Sequence, residues 1–312
     1  MIIVVVVAAL AVAVVHGSAG GEWNYSPSSG YGPAHWHKVK DSDAKPYSDC
    51  AKNSQSPINF GAVDVSAGLS PVDLQNWDTA PMAAGAQVSN NGHTIKMAPT
   101  GTGQKTLQLK DPNGGGKTYD LLQFHFHGPS EHTFGGGLRD MEMHMVHQAA
   151  DGSYLVIGVT FIATPNGGNS FLNHFWETIP GLNYENGGTL PAANTTKHNF
   201  YQNGILPASK NYFTYSGSFT TPPCTEGVTW YVMEEANTMS TAQLAAFMKT
   251  INFNSSVWDG VSQFYSKGTY RPAQPLNDRI VRKYTTTTSG ASILSFALGT
   301  VVAMLTTSVL LL

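Results

Sequence analysis

The sequence predicts a β-rich α/β protein, on three observations. Short stretches of alternating polar and apolar residues recur through the middle of the chain, glycine- and proline-rich turns separate them, and helical pattern is sparse. At 312 residues and 41% apolar content, the chain can fill one large core or two ordinary ones. The net charge is −3 and the pI about 6.4, with no basic patch, so nucleic acid is not an expected partner. No internal repeat is apparent.

Ile2–Val15 is an unbroken apolar run followed by His-Gly-Ser-Ala-Gly-Gly. It reads as a secretory signal peptide over residues 1–19, cleaved after Gly17 or Ala19, although the usual Lys or Arg before the run is missing. Strands are predicted at Thr106–Leu109, Tyr119–His127, Met141–Gln148, Tyr154–Ile162 and Thr229–Glu234, divided by turn signals at 111–116 and 151–152. Ser240–Ile251 is the best helix, with a capping residue and apolar spacing. Asn194-Thr-Thr and Asn254-Ser-Ser match glycosylation acceptors, as does Asn24-Tyr-Ser, where the following Pro27 makes use less favourable. Cys50 and Cys224 allow one disulfide in an oxidising compartment; two buried free thiols are the alternative.

Residues 285–292 are small or polar, and Ile293–Leu312 is a twenty-residue uncharged tail, long enough to span a bilayer. Arg282 and Lys283 precede the tail and no cation follows it, which opposes the positive-inside tendency. The small residues Ser289, Gly290 and Ala291 favour a removable GPI signal, with a single-pass anchor as the alternative. Either reading holds the domain to a membrane, outside the cell or in a lumen.

The chemistry concentrates in Leu121–His147. Alternation puts Gln123, His125 and His127 on one face of a strand, and Glu142, His144 and Val146 on one face of the next. The glycine-rich stretch between them can turn the chain back, so His125, His127 and His144 could meet at one point. Three imidazoles with a fourth position open is the pattern of a catalytic Zn2+, where bound water loses a proton near neutral pH. Gln123 and Glu142 each stand two residues before a histidine, placed to take its second ring N–H. His147 falls on the opposite face and is read, like His132, as structural.

QFHFH, PSEH and EMHMVH resemble the α-class carbonic anhydrases, as do PAHWHK (33–38), QSPINF (55–60), NNGHT (90–94), GSFTTPPCTEGVTW (217–230) and RPAQPL (271–276). The resemblance runs from Trp23 to Tyr284. It implies a single catalytic domain over residues 20–284, with a large, mostly antiparallel twisted sheet and a few surface helices. The implied activity is reversible hydration of CO2 to bicarbonate by zinc-bound hydroxide, with a non-catalytic binding module and a zinc esterase as alternatives.

By the same resemblance Thr220 accepts the hydroxide's proton and donates its own to Glu131, because an ionised carboxylate only accepts. Val146, Val156, Phe219, Val228 and Trp230 match the apolar substrate wall, with Thr221 beside them. Phe219 departs from the family's usual Leu and is expected to crowd the substrate. His93 matches the proton shuttle, and Tyr25 and Asn91 match residues that order the connecting waters. Lys96 stands where a neutral amide is common and is expected to lower the pKa of His93. Secreted relatives link the cysteines that match Cys50 and Cys224. The oligomeric state is left open.

Overall fold

The computed structural model describes residues 23–75, 86–91, 93–99, 108–111, 113–176, 188–189, 205–251 and 268–286. The N-terminal apolar run, the C-terminal tail, Asn194 and Asn254 lie outside the described residues. Within them, no helix is long and apolar enough to cross a membrane.

Alternating segments become strands: β1 (Asn59–Phe60), β2 (Asp73–Gln75), β3 (Ala86–Asn90), β4 (Ile95–Pro99), β5 (Gln108–Asp111), β6 (Lys117–His127), β7 (Thr133–Phe134), β8 (Met141–Ala149), β9 (Tyr154–Thr164), β10 (Gly188–Thr189), β11 (Tyr212–Ser218), β12 (Glu226–Met233), β13 (Asn237–Ser240) and β14 (Arg282–Tyr284). One mixed sheet carries the order β10-β3-β4-β6-β8-β9-β12-β11-β14, with β5 and β2 on the β6 side and β13 beside β9. Its pairings are antiparallel except where β9 meets β12 and β13. Of the strand predicted at Thr106–Leu109, residues 106–107 lie outside the described residues and the remainder belongs to β5, Gln108–Asp111; the strand expected at Thr229–Glu234 starts earlier, at Glu226.

Among the described residues two α-helices flank the sheet, α1 (Ser170–Trp176) and α2 (Thr241–Ile251). The start of α2 follows from its first residues. Gln243 N–H donates to Ser240 Oγ at 3.0 Å, and Ser240 N–H donates to Gln243 Oε1 at 2.9 Å. This reciprocal capping satisfies two backbone donors that the first turn would leave open.

β8 is buried along nearly its whole length because both faces of the sheet are covered. Phe124, Phe126, Met143, Met145 and Ile157 pack under α2 in the larger core. Val146, Val156, Val228 and Trp230 belong to a second cluster with Phe60 and Tyr215. One irregularity sets the frame of the site: the β6–β8 register runs Leu121 to His147, then Gln123 to Val146, so Leu122 is bulged out. Beyond the bulge His125 stands opposite His144, and His127 opposite Glu142.

Cys50 and Cys224 form a disulfide with Cα atoms 4.9 Å apart and 174 residues of sequence separation. It packs against Trp36 at the edge of the sheet. Closing so long a loop is worth about 5 kcal/mol in the chain-entropy model, and 2–4 kcal/mol is typical in practice. Replacing both cysteines by Ala is expected to lower unfolding free energy by roughly 2–5 kcal/mol, read from urea denaturation; an unchanged midpoint would show that the cross-link constrains nothing.

Candidate metal centre

The antiparallel pairing of β6 with β8 brings His125, His127 and His144 together, with one ring nitrogen from each lying within 4.8 Å of the others. The other nitrogen of each ring is already taken. His125 Nδ1 is 2.9 Å from Gln123 Oε1, His127 Nδ1 is 2.7 Å from the Thr269 carbonyl, and His144 Nε2 is 2.8 Å from Glu142 Oε1. Each acceptor takes a ring N–H, so the lone pairs left over are on His125 Nε2, His127 Nε2 and His144 Nδ1. Among the described residues, His127 Nε2 is buried without a hydrogen-bond partner. A buried polar atom of that kind calls for an explanation, and a metal ion supplies one.

The electrostatics agree. Burial, and then mutual repulsion among the rings, pushes His125 well below the ordinary imidazole range and His127 down to about 3. Burial also lowers His144, against the pull of Glu142. At neutral pH all three are uncharged, which is the form that binds a metal.

Glu142 joins this cluster to its surroundings. Burial alone would raise its carboxyl, but His132 and His144, by charge and by hydrogen bond, hold it well below the usual range. Its Oε1 accepts from both imidazoles, at 2.7 Å from His132 Nδ1 and 2.8 Å from His144 Nε2. Its Oε2 accepts the backbone N–H groups of Glu131 and His132, each at 2.8 Å. His132 Nε2 lies 2.7 Å from the Tyr215 hydroxyl, which is bonded to Ser56 Oγ at 2.8 Å. The packing is close on β9: a Cβ on Gly158 would meet Glu142 Oε1 at 3.0 Å, so the carboxylate would have to give way.

Glu131 is fully buried beside the imidazoles. Its Oε1 accepts the Arg271 backbone N–H at 2.8 Å, and its Oε2 is 3.9 Å from His144 Nδ1. Burial pushes its carboxyl well above the usual range, opposed by the Thr220 hydroxyl and by Arg271. Thr220 is thus close enough to favour the charged form, while Oε2 makes no full hydrogen bond. The guanidinium of Arg271, itself buried, donates to Gln55 Oε1, the Ser56 carbonyl and the Cys50 carbonyl at 2.8–2.9 Å. Arg271 and the His132–Tyr215–Ser56 chain were not marked as site residues by the sequence pattern. They come from loops and distant strands, where no periodicity announces them.

The apolar positions also converge. Val146 pairs with Val156, and Val156 with Trp230, along one row of the sheet; the Trp230 ring lies 4.7 Å from that of His144. Phe219 is half-buried against this cluster, edge-on to Tyr154 at 5.0 Å. Val228 is in the same cluster, and Thr221 sits half-buried in the Thr220–Cys224 turn.

His93 lies apart from the imidazole cluster. Its ring stacks on Trp23 at 3.7 Å with 10° between planes, and the Tyr25 ring stands edge-on 6.3 Å away. Burial lowers it to about 4. The expected cause was Lys96, and that expectation is corrected: Lys96 pairs in register with His125, and its charge depresses His125. Asn91 also does more than face solvent. Its Oδ1 accepts the N–H groups of His93 and Thr94 at 3.0 and 2.9 Å, which fixes the turn that carries His93. The Tyr25 hydroxyl is buried without a hydrogen-bond partner, and burial raises its pKa well above the ordinary range.

Three converging imidazoles on a large, mostly antiparallel sheet define a donor set suited to a metal ion, and comparison with known proteins gives the family. The eukaryotic-type carbonic anhydrase family model matches residues 31–285. A carbonic anhydrase of Klebsiella pneumoniae is 35% identical over 260 residues, 83% of this chain and 89% of its own. Human carbonic anhydrase 7 is 30% identical, over 83% of this chain and 96% of its own. The α-carbonic anhydrase of Thermovibrio ammonificans, solved with the inhibitor sulfanilamide, superposes with a TM-score of 0.65 at 34% identity, covering 84% of this chain and 99% of that one. The chain belongs to the eukaryotic-type carbonic anhydrase family and is an enzyme of that family.

Outer hydrogen bonds that fix a ligand's tautomer typically carry 10–100-fold in metal affinity. Glu142→Gln is therefore expected to weaken Zn2+ binding by roughly that factor, measured by competition with a chromophoric chelator. Wild-type affinity in this variant would mean that Glu142 does not orient His144.

Proposed function

We propose that this protein catalyses the zinc-dependent, reversible hydration of CO2 to bicarbonate. The observation that carries the reading is the set of three converging imidazoles, His127 and His144 buried and His125 half-buried, each with its opposite nitrogen already occupied. His125 Nε2, His127 Nε2 and His144 Nδ1 would hold the ion, three protein ligands leaving a fourth position open. Zinc bound there would supply Lewis acidity and would lower the pKa of a water in the open position to near 7.

The chain's own residues do the rest. Thr220 orients the attacking water: its oxygen accepts one proton, and its own hydroxyl donates to Glu131. That direction requires an acceptor-only carboxylate. Burial opposes the charged form of Glu131, while the Arg271 N–H and any dication beside His144 Nδ1 favour it. Val146, Val156, Phe219, Val228 and Trp230 form an apolar wall suited to a small uncharged gas, with Thr221 at its polar edge. Phe219 narrows that wall relative to the Leu common in the family.

Each hydration also releases a proton, which must leave the site. His93 is the group proposed to export it, with Tyr25 and Asn91 along the route. Stacked on Trp23 at a pKa of about 4, it carries few protons at neutral pH. Efficient export thus requires the ring to leave Trp23 and regain water. The predicted signal peptide, the GPI-type tail and the acceptors Asn194 and Asn254 belong to the same proposal: a secreted, membrane-held enzyme. The Cys50–Cys224 disulfide supports an oxidising compartment.

The deciding experiment is stopped-flow CO2 hydration by the purified protein, before and after chelation. Fast hydration that is lost with the metal and restored by Zn2+ is the expected result; a folded, zinc-loaded but inert protein would favour a binding module instead. In weakly buffered solution His93→Ala is expected to slow turnover by roughly tenfold or more, with recovery on adding imidazole. Wild-type speed in that variant would remove His93 from the proton route.

A further inference from the structure

We infer that Lys96 is a specificity residue of this site: its ammonium draws small anions, bicarbonate among them, to the metal face. The inference rests on the zinc-site reading above. Lys96 and His125 are direct partners across the β4–β6 ladder, so their side chains leave the sheet on the same side. The next pair, Met97 and Phe124, points into the opposite core. Lys96 is half-buried, and among the described residues no carboxylate or carbonyl pairs with its ammonium. The two carboxylates of the centre are committed elsewhere, Glu142 to His132 and His144, and Glu131 to the Arg271 N–H.

A cation held partly out of water without a counter-ion favours whatever anion can approach it. A neutral gas gains nothing from such a charge, whereas an anionic product or inhibitor does.

The charge has a consequence that packing alone cannot imitate: it attracts anions and repels the metal cation. Lys96→Gln should therefore move two affinities in opposite directions. Zn2+ binding to the apoprotein, read by chelator competition, should tighten about three- to tenfold, and thiocyanate binding to the cobalt(II)-loaded protein, read by visible absorption, should weaken by a similar factor. Inhibition of CO2 hydration by bicarbonate should weaken in parallel, with the KM for CO2 unchanged. Lys96→Arg should restore wild-type values, and salt should shrink every difference. Lys96→Met provides a second neutral variant should Lys96→Gln fold poorly. Losses in both affinities, or no change in either, would overturn the inference while leaving the enzyme reading intact. A wild-type protein that binds zinc but does not hydrate CO2 would instead remove the reading on which it rests.

Discussion

The site depends on one buried carboxylate. Glu142 accepts four hydrogen bonds, two from imidazoles and two from backbone N–H groups. An isolated ionised carboxylate in that position would be prohibitively costly, and the cost is met only because each lone-pair direction finds a donor. Everything else at the centre refers to it. It turns His144 so that Nδ1 faces inward, and it pins the backbone of the loop that carries Glu131. Through His132 it is tied to Tyr215 and to Ser56 at the far side of the sheet. Gly158 is the counterpart of this arrangement, since a side chain at that position of β9 would crowd the carboxylate.

A second buried charge closes the cluster from the other end. Arg271 reaches the Cys50 carbonyl with its guanidinium and Glu131 with its backbone N–H, so one residue joins the disulfide-bearing loop to the metal face. The disulfide in turn holds Cys224, whose N–H is bonded to the Thr221 carbonyl in the turn that presents Thr220. Thr220 is thus positioned by covalent and polar ties from both sides, even though it lies in a loop. Such support matters where a hydroxyl must be aimed to within a fraction of an ångström.

How much of this was legible follows from the distances along the chain over which each contact acts. The alternation in Leu121–His127 and Met141–His147 carried the histidine faces and the partners Gln123 and Glu142, because a strand's period of two is a local property. The capping of α2 by Ser240 was equally local. The bulge at Leu122 left no mark in the pattern, yet it decides which residues of β6 and β8 stand opposite each other. Thr269, Arg271, Tyr215 and Ser56 reach the centre across 83 or more residues of chain, from segments without periodicity. Only the fold brings them in.

His93 and Lys96 show where a sequence argument about charge fails. Both lie in the same short stretch, and Lys96 stands where the family commonly has a neutral amide, so the resemblance makes its charge the expected perturber of the histidine. In the sheet, however, β4 turns Lys96 towards His125, and the loop before it lays His93 on Trp23. Desolvation then lowers His93 without any help from a cation. Pleat and ladder register, more than closeness in sequence, decide which groups feel one another's charge. The same geometry that frees His93 from Lys96 places an unpaired ammonium on the face where three neutral imidazoles converge. A centre of that kind is electrostatically asymmetric: one wall, around Val156 and Trp230, is apolar, while the strand on the other side of the imidazoles carries a charge.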